Sequence, residues 1–477
     1  MALAHRAKVK DPAKAFISTW RTSIVYTGST ANNQIKLPLE IAGTYKFTVQ
    51  WGDTTSSVIT TWNQAETTHT YPAPGDYTVT ITGFIKGWDF GQGGTAAPVT
   101  GDMRKLLTVT QFGCLRLVTH LDTVPVKNWG TFYGCTNLNL TGVQDMPNFK
   151  GTISIFGFLR NCTTLTTVNN INKWDVSKVI NFRNAIRSSE NFNDNVGNWN
   201  TSNATILSTL FFGGSVTTLG KFTNGGSSSI GNWDTSKVTD MSFMFQYQPY
   251  FNHDLGAWNT SNVTNMTSMF AGVTVIPYSI FNNGGSDSIK NWDTSKVTAF
   301  HNMFRSQKDF NQEIGLWDTS SAVNMGVMFY SDIDLIISSF NNAGSDSIKN
   351  WNTGNVTDMQ FMFRRAIAFN QPIGSWNTSK VANMTNMFAQ DFAFNQDISN
   401  WDISLVTNFT SFMYQKSPSN FSAANYDALL IGWASRPVKP NINIDFATIK
   451  RTSASDAAKT ILTSAPNNWT IADGGLI

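Results

Sequence analysis

From residue 174 onward the large apolar residues fall on a fixed frame. Tryptophans stand at 174, 199, 233, 258, 292, 317, 351, 376 and 401, at intervals of 25, 34, 25, 34, 25, 34, 25 and 25 residues. Counted from each Trp, apolar residues return at +5, +8, +11, +12, +18 and +22, as in Val381, Met384, Met387, Phe388, Phe394 and Ile398 after Trp376. Nine copies of one frame mark a repeat architecture. The spacing of +5, +8 and +12 predicts a short helical turn with one buried face. Ser or Thr at +2 and +3 (Thr235-Ser236, Thr260-Ser261, Thr294-Ser295, Thr378-Ser379) is placed to cap it. The Ile-x-x-Trp segment closing each copy predicts a brief strand. One such unit, with about six apolar side chains, cannot bury them alone, whereas stacked units can. Each large side chain buried this way contributes roughly 1.5–3 kcal/mol. The Asn of each Phe-Asn pair (Asn193, Asn252, Asn311, Asn370, Asn395) is expected to form a ladder, bonded to backbone or to the next Asn.

The 34-residue intervals add five residues before the second Phe and four between Phe-Asn and Ile. The second insertion is polar: Phe222-Thr-Asn-Gly-Gly-Ser-Ser-Ser-Ile230, Phe281-Asn-Asn-Gly-Gly-Ser-Asp-Ser-Ile289 and Phe340-Asn-Asn-Ala-Gly-Ser-Asp-Ser-Ile348. Insertions at one corner of a repeat map to one face, often the binding face. The candidate binding residues are therefore Asn224, Ser227, Ser228, Asn283, Ser286, Asp287, Asn342, Ser345 and Asp346.

The segments flanking the repeats read differently. Residues 45–51 (Tyr-Lys-Phe-Thr-Val-Gln-Trp) and 77–81 (Tyr-Thr-Val-Thr-Ile) alternate as strands do. Ser422 to Trp433 reads as a capped helix and Ser455 to Leu462 as a second, stopped by Pro466, with Trp469-Thr-Ile471 as a last strand. A repeat stack ends in an apolar face and an unpaired edge, so a distinct cap is expected there. The sequence thus divides into a basic arm (1–15), a β-sandwich (16–102), a first set of coils (103–173), the Trp-marked repeats (174–414) and a cap (415–477).

Composition agrees with β-structure and narrows the chemistry. The 477 residues are 41% hydrophobic but only 14% charged, and 34 Lys+Arg nearly balance 31 Asp+Glu, which argues against a polybasic nucleic-acid groove. No stretch approaches the roughly 18 apolar residues of a membrane span. The start lacks an apolar core of the kind a secretory signal carries. Cys114, Cys135 and Cys162 cannot all pair, and two share a frame, Phe132-x-x-Cys135-x-x-Leu138 and Leu159-x-x-Cys162-x-x-Leu165, so they are expected to be small buried side chains.

Two resemblances follow from these residues. Trp233-Asp-Thr-Ser-Lys-Val-Thr-Asp-Met-Ser-Phe-Met-Phe245 looks like the 25-residue repeat of bacterial surface proteins, kin of BspA-like leucine-rich repeats, over about 160–414. The stretch 103–165 resembles the more usual BspA-like repeat, and Tyr426-Asp-Ala-Leu-Leu-Ile-Gly-Trp433 the closing segment attached to such repeats. Trp51-Gly52-Asp53 with His69-Thr-Tyr71, Pro74-Gly75 and Tyr77-Thr-Val79 is similar to the PKD type of immunoglobulin-like module. The resemblances imply a multidomain, mainly β protein with short helices: an Ig-like (PKD-type) sandwich, a right-handed leucine-rich-repeat-like solenoid and a small α/β cap. Such proteins occur on microbial surfaces and in phage, and they bind.

Catalytic chemistry finds no footing in the sequence. His5, His69, His120, His253 and His301 are scattered without zinc spacing, and His69 reads as structural. The Gly-Gly pairs lack a following Lys-Ser/Thr and read as turns. Asp287 and Asp346 invite a calcium reading, but the third loop has Ser228 there and calcium takes six or more oxygens, so no metal and no cofactor is expected. Glu occurs only at 40, 66, 190 and 313, which leaves a polysaccharide hydrolase, needing paired carboxylates, as a distant alternative. The expectation is a non-catalytic structural or recognition protein on the virion surface: a phage capsid decoration, spike or fibre. It would attach to a capsid or tail protein through its N-terminal region, where Arg6, Lys8, Lys10 and Lys14 form an anchoring arm, and present its repeats to a host surface glycan or protein. No nucleic acid or membrane partner is expected; a homotrimer suits a spike. A bacterial cell-surface adhesin is the alternative.

Overall fold

A computed structural model describes residues 15–91, 101–117, 130–332 and 338–477. The protein is mainly β, with few short helices, and divides into two compact units, one ending at Asn203 and one running from Ala204 to Ile477.

The first unit opens with β1 (Phe16–Arg21), β2 (Gln34–Lys36), β3 (Leu39–Gln50), β4 (Ser56–Ile59), β5 (Thr68–Thr70) and β6 (Asp76–Trp88). β7 (Leu106–Gln111) and β8 (Leu115–Arg116) complete a six-stranded sheet in the order β4-β3-β6-β1-β7, with β8 parallel to β6; β2 and β5 form a separate pair. The two strands read from alternation are the long members, β3 and β6, which pair antiparallel from Tyr45↔Ile85 to Gln50↔Thr80. Their inward residues Phe47, Val49, Val79 and Ile81 are buried, as are Phe16 and Trp20 of β1. The Trp51–Tyr77 motif forms one cluster: His69 stacks on Trp51 at 4.7 Å, its Nε2 lies 2.8 Å from Asp53 Oδ2, and Tyr71 stacks on Tyr77 at 3.8 Å. His69 is thus held between the Trp51 and Tyr71 rings.

The sheet runs past residue 102, the boundary expected from the sequence, because β7 belongs to it. Asp102 and Lys105 are fully buried and fix the start of β7. Asp102 accepts from Thr30 N and Lys36 N at 2.9 and 2.7 Å, while Lys105 Nζ donates to Ala31 O and Gln34 O at 2.7 and 2.8 Å. β7 then pairs with β1 on one side and meets the first coil on the other through a Thr108–Asn139 bridge, so the sheet edge is covered. Cys114, Cys135 and Cys162 are all free and buried; Cys162 Sγ lies 3.2 Å from Phe132 O, and burial raises all three thiols.

In the second unit the repeats stack in register. A chain of parallel bridges runs through Ile206, Asp240, Asn265, Ala299, Asn324, Asp358, Asn383 and Asn408, each seven residues after its Trp. From +8 to +14 alternate N–H groups donate to the next repeat: Met241 to Asn265 O, Phe243 to Thr267 O, Phe245 to Met269 O and Tyr247 to Ala271 O, at 2.8–3.0 Å. The pattern recurs down to Gln390 N donating to Tyr414 O at 2.9 Å. We call one such stretch a rung.

The rung replaces the predicted helical turn. Its +10 residue lies in the left-handed region in every repeat of this unit: Thr209, Phe243, Ser268, Asn302, Val327, Phe361, Asn386 and Ser411 have φ between 54° and 64°. Alternating hand points the N–H groups outward to the next repeat instead of back along the chain, so no helix forms. The +2 Thr does not cap either; Thr235 Oγ1 donates to Asn259 O, and Thr260, Thr294, Thr319, Thr353 and Thr378 repeat the bond at 2.8–3.0 Å. The capping acceptor is the +1 residue, as Asp234 Oδ1 accepts Ser236 N at 3.0 Å. The Ile-x-x-Trp segment of the long repeats is a 3-10 turn (Ser228–Asn232, Asp287–Asn291, Asp346–Asn350), not a strand. Short local bonds such as Trp292 N to Ile289 O, at 3.2 Å, outcompete pairing there.

The apolar frame is consumed by stacking. From Phe211–Phe222 to Phe388–Phe394 the +12 and second Phe of a repeat lie face to face at 3.6–4.0 Å, as Phe245–Phe251 and Phe329–Phe340 do. Each meets its counterpart one repeat on at about the same height, Phe245–Phe270 at 5.8 Å and Phe251–Phe281 at 6.2 Å, which makes two parallel columns of rings. Trp258, Trp292, Trp317, Trp351, Trp376 and Trp401 each donate Nε1–H to the carbonyl of the preceding repeat's Ile or Leu at 2.9–3.1 Å. The asparagine ladder is continuous here and includes Asn282 and Asn341 of the long repeats. Asn252 Oδ1 accepts Asn282 N, and so on through Asn311, Asn341 and Asn370 to Asn395, at 2.8–3.0 Å.

The predicted cap follows as α1 (Ala423–Ala434), β9 (Asn443–Asp445), α2 (Asp456–Thr463) and β10 (Thr470–Ala472). Ser422 Oγ caps α1, and Asn395 Oδ1 ends the ladder on Ser422 N and Asn425 Nδ2 at 2.9 and 2.8 Å. Lys416, buried at the last rung, donates Nζ–H to the carbonyls of Asp391, Phe394 and Asn420.

Two predictions follow from this frame. Val327→Asn, which installs the residue already present at Asn302 and Asn386, relieves a β-branched side chain in a conformation costing about 1–2 kcal/mol. Denaturant unfolding of the full chain is expected to show a gain of about 0.5–1 kcal/mol. Burial pushes the Lys416 amine down to about 8, below the unfolded lysine value of about 10.4. Between those values the unfolded chain binds the extra proton, so stability of the cap rises with pH over that window. Lys416→Met is expected to flatten the rise; an unchanged slope in melting temperature against pH refutes the assignment.

Candidate functional site

The long-repeat corner is built on three consecutive left-handed residues: Asn224-Gly225-Gly226, Asn283-Gly284-Gly285 and Asn342-Ala343-Gly344, with φ between 51° and 80°. The Asn opening each turn is fully buried. Asn342 Nδ2 donates to Ser345 O at 2.8 Å and Ser347 Oγ at 3.1 Å, while its Oδ1 accepts from Ile314 N and Gly315 N of the preceding repeat at 2.8 and 3.1 Å. Asn283 does the same with Ser286 O, Ser288 Oγ and Leu255 N. Asn224 holds Ser227 O and Ser229 Oγ. These three asparagines tie the loop to itself, and Asn283 and Asn342 tie it also to the preceding repeat, so they do not face a ligand.

Ser227, Ser286 and Ser345 are half-buried and cap the 3-10 turns by accepting from Ser229, Ser288 and Ser347 N. Ser345 also donates to Glu313 Oε1 at 2.8 Å. Ser228, Asp287 and Asp346 are left as the exposed tips. Asp287 and Asp346 each pair with a lysine three residues on, Lys290 at 2.6 Å and Lys349 at 2.5 Å. Among the described residues no group of three or more His, Cys, Asp or Glu is placed to hold a metal. Arg6, Lys8, Lys10 and Lys14 lie outside the described residues.

A second surface, along the +13 and +14 ends of the rungs, was not read from the sequence. Arg305, Tyr330 and Arg364 occupy +13 of three successive repeats. Arg305 Nε donates to Asp332 Oδ2 at 2.6 Å, its Nη2 pairs with Oδ1, and Ser306 Oγ donates to the same carboxylate at 2.6 Å. The Arg364 guanidinium lies 5.4 Å from the Tyr330 ring and 5.6 Å from the Phe361 ring, with Arg305 5.8 Å from Tyr330 on the same column. Further along, Arg365 Nε donates to Gln390 Oε1 at 2.6 Å, Gln390 Nε2 donates to Gln415 Oε1 at 2.7 Å, and Phe392 and Tyr414 are exposed. The sequence carries no steady signal for this column, since +13 also holds Phe212, Ala271 and Ala389.

A family model described as "Mycoplasma protein of unknown function, DUF285" matches residues 129–224, 154–282, 214–331 and 331–429. No curated protein and no solved structure matches.

Two positions of the long-repeat corner separate structure from surface by mutation. Asn342→Ala leaves buried Ile314 N and Gly315 N without an acceptor and is expected to cost about 2–4 kcal/mol. Asp346→Asn at the exposed tip should stay within about 0.5 kcal/mol. Chemical denaturation of both variants measures the difference; equal effects would place the asparagine outside the frame.

Proposed function

We propose, from the premise that the chain belongs to the DUF285 repeat family, that it is a non-catalytic recognition and structural protein displayed on the surface of a virion. In this reading residues 174–414 are a right-handed leucine-rich-repeat-like solenoid of BspA type, and residues 16–102 with the added strands are an Ig-like module of PKD type. The N-terminal region attaches to a capsid or tail protein and the repeats meet a host surface glycan or protein. The observation that carries the reading is the division of labour within the second unit. Trp, Met and Phe side chains and the Asn ladder are spent on holding one repeat to the next. The loop tips Ser228, Asp287 and Asp346, by contrast, stay exposed outside that framework once every second repeat, and Arg305, Tyr330 and Arg364 stand half-buried at +13 of three successive repeats. A rigid rack of surface groups is suited to multivalent contact with a repetitive partner.

A bacterial cell-surface adhesin is the second reading, favoured by the bacterial description of the matching family. Mass spectrometry of purified virus particles against host envelope fractions decides between them. The proposal expects the chain at fixed stoichiometry in particles that survive high-salt washing. Recovery only in envelope fractions would overturn the virion placement and leave the adhesin.

A further inference from the structure

Arg364 is the counterpart of Arg305, which holds a carboxylate in its fork. We propose that Arg364, with the side chains on the next two rungs, forms a binding site for a carboxylated polysaccharide, its guanidinium pairing with the sugar carboxylate. The inference rests on the recognition reading above and gives that reading a ligand class.

Three observations carry it. First, Arg364 is half-buried against two aromatic faces, yet among the described residues no carboxylate pairs with it, and its buried Nε has no hydrogen-bond partner. A planar fork held between two rings, with no carboxylate on it, is placed to take a bidentate acceptor. Second, Arg305 stands at the same +13 position two repeats earlier, and there the fork is filled by Asp332 through both carboxylate oxygens. The protein thus displays on its own column the complex that Arg364 lacks. Third, the neighbouring rungs offer what a sugar needs beside its acid group. Gln390 and Gln415 present amides, and Tyr414 and Phe392 expose 44% and 45% of their surface as flat rings for the C–H face of a pyranose.

An acidic peptide fits less well. An extended peptide gains affinity by pairing with a free strand edge. The rungs leave no such edge on this column, since Arg365 N and Gln390 N already donate to the next repeat at 3.0 and 2.9 Å.

The test is calorimetric titration of the full chain with oligogalacturonate, with neutral dextran and dextran sulfate as parallel arms. Wild-type protein is expected to bind oligogalacturonate, to bind dextran sulfate at least tenfold more weakly, and not to bind dextran. Arg364→Gln and Arg364→Lys should each weaken oligogalacturonate tenfold or more with the melting temperature unchanged, since lysine keeps the charge but loses the fork. Lys349→Gln, which removes a charge at the loop corner, should stay within twofold. Absent wild-type binding, wild-type affinity in Arg364→Lys, or equal affinity for dextran sulfate would each overturn the proposal. If wild type and Arg364→Lys bind host cells or dextran alike, this ligand assignment falls while the recognition reading stands.

Discussion

Everything in the second unit depends on one constraint: alternate N–H groups of a rung have no acceptor within their own repeat. Phe243 N, Phe245 N and Tyr247 N find theirs only in the repeat that follows. Buried amides left unpaired cost about 1–3 kcal/mol each. A repeat is therefore stable only with a neighbour in register. The cap closes the last one through other groups: Ser422 N and Asn425 Nδ2 fill the final ladder acceptor, and the Lys416 amine is buried against three carbonyls.

That constraint explains why so many side chains of modest chemistry recur without catalytic meaning. Thr at +2 bonds the next repeat's carbonyl, Trp the previous one's, and Asn bridges consecutive loops. Each is a lateral tie, so register is over-determined: slipping one repeat breaks all of them together. Rigidity of this kind fixes the spacing of whatever stands outside the core. The loop tips and the Arg–Tyr column inherit their geometry from it.

Much of this was legible in the residues. The Trp intervals gave the repeat, the apolar positions gave the core, and Ser422 and Pro466 bounded the cap helices. The Asn ladder was visible because an uncharged amide at one frame position has few other uses. The rung conformation was not visible. Left-handed residues are usually betrayed by Gly, yet +10 holds Phe243, Val327 and Phe361, and the spacing of +5, +8 and +12 imitates a helical face. Register bonds from the next repeat override local preference there. The loop asparagines misled for a related reason: a polar residue in a Gly-rich insertion looks exposed, but Asn224, Asn283 and Asn342 are the keystones of their turns. Arg364 escaped because its partners, Tyr330 and Phe361, come from +13 and +10 of different repeats, outside the apolar frame that was counted.

Native-state hydrogen exchange of the full chain reads the central constraint most directly. The amides of Phe243, Ser268, Asn302, Val327, Phe361 and Asn386, one per rung, should be among the slowest in the protein, and those of the tips Asp287 and Asp346 among the fastest. Rung amides that exchange as fast as the tips would mean that the repeats do not hold one another, and the account would fail at its foundation.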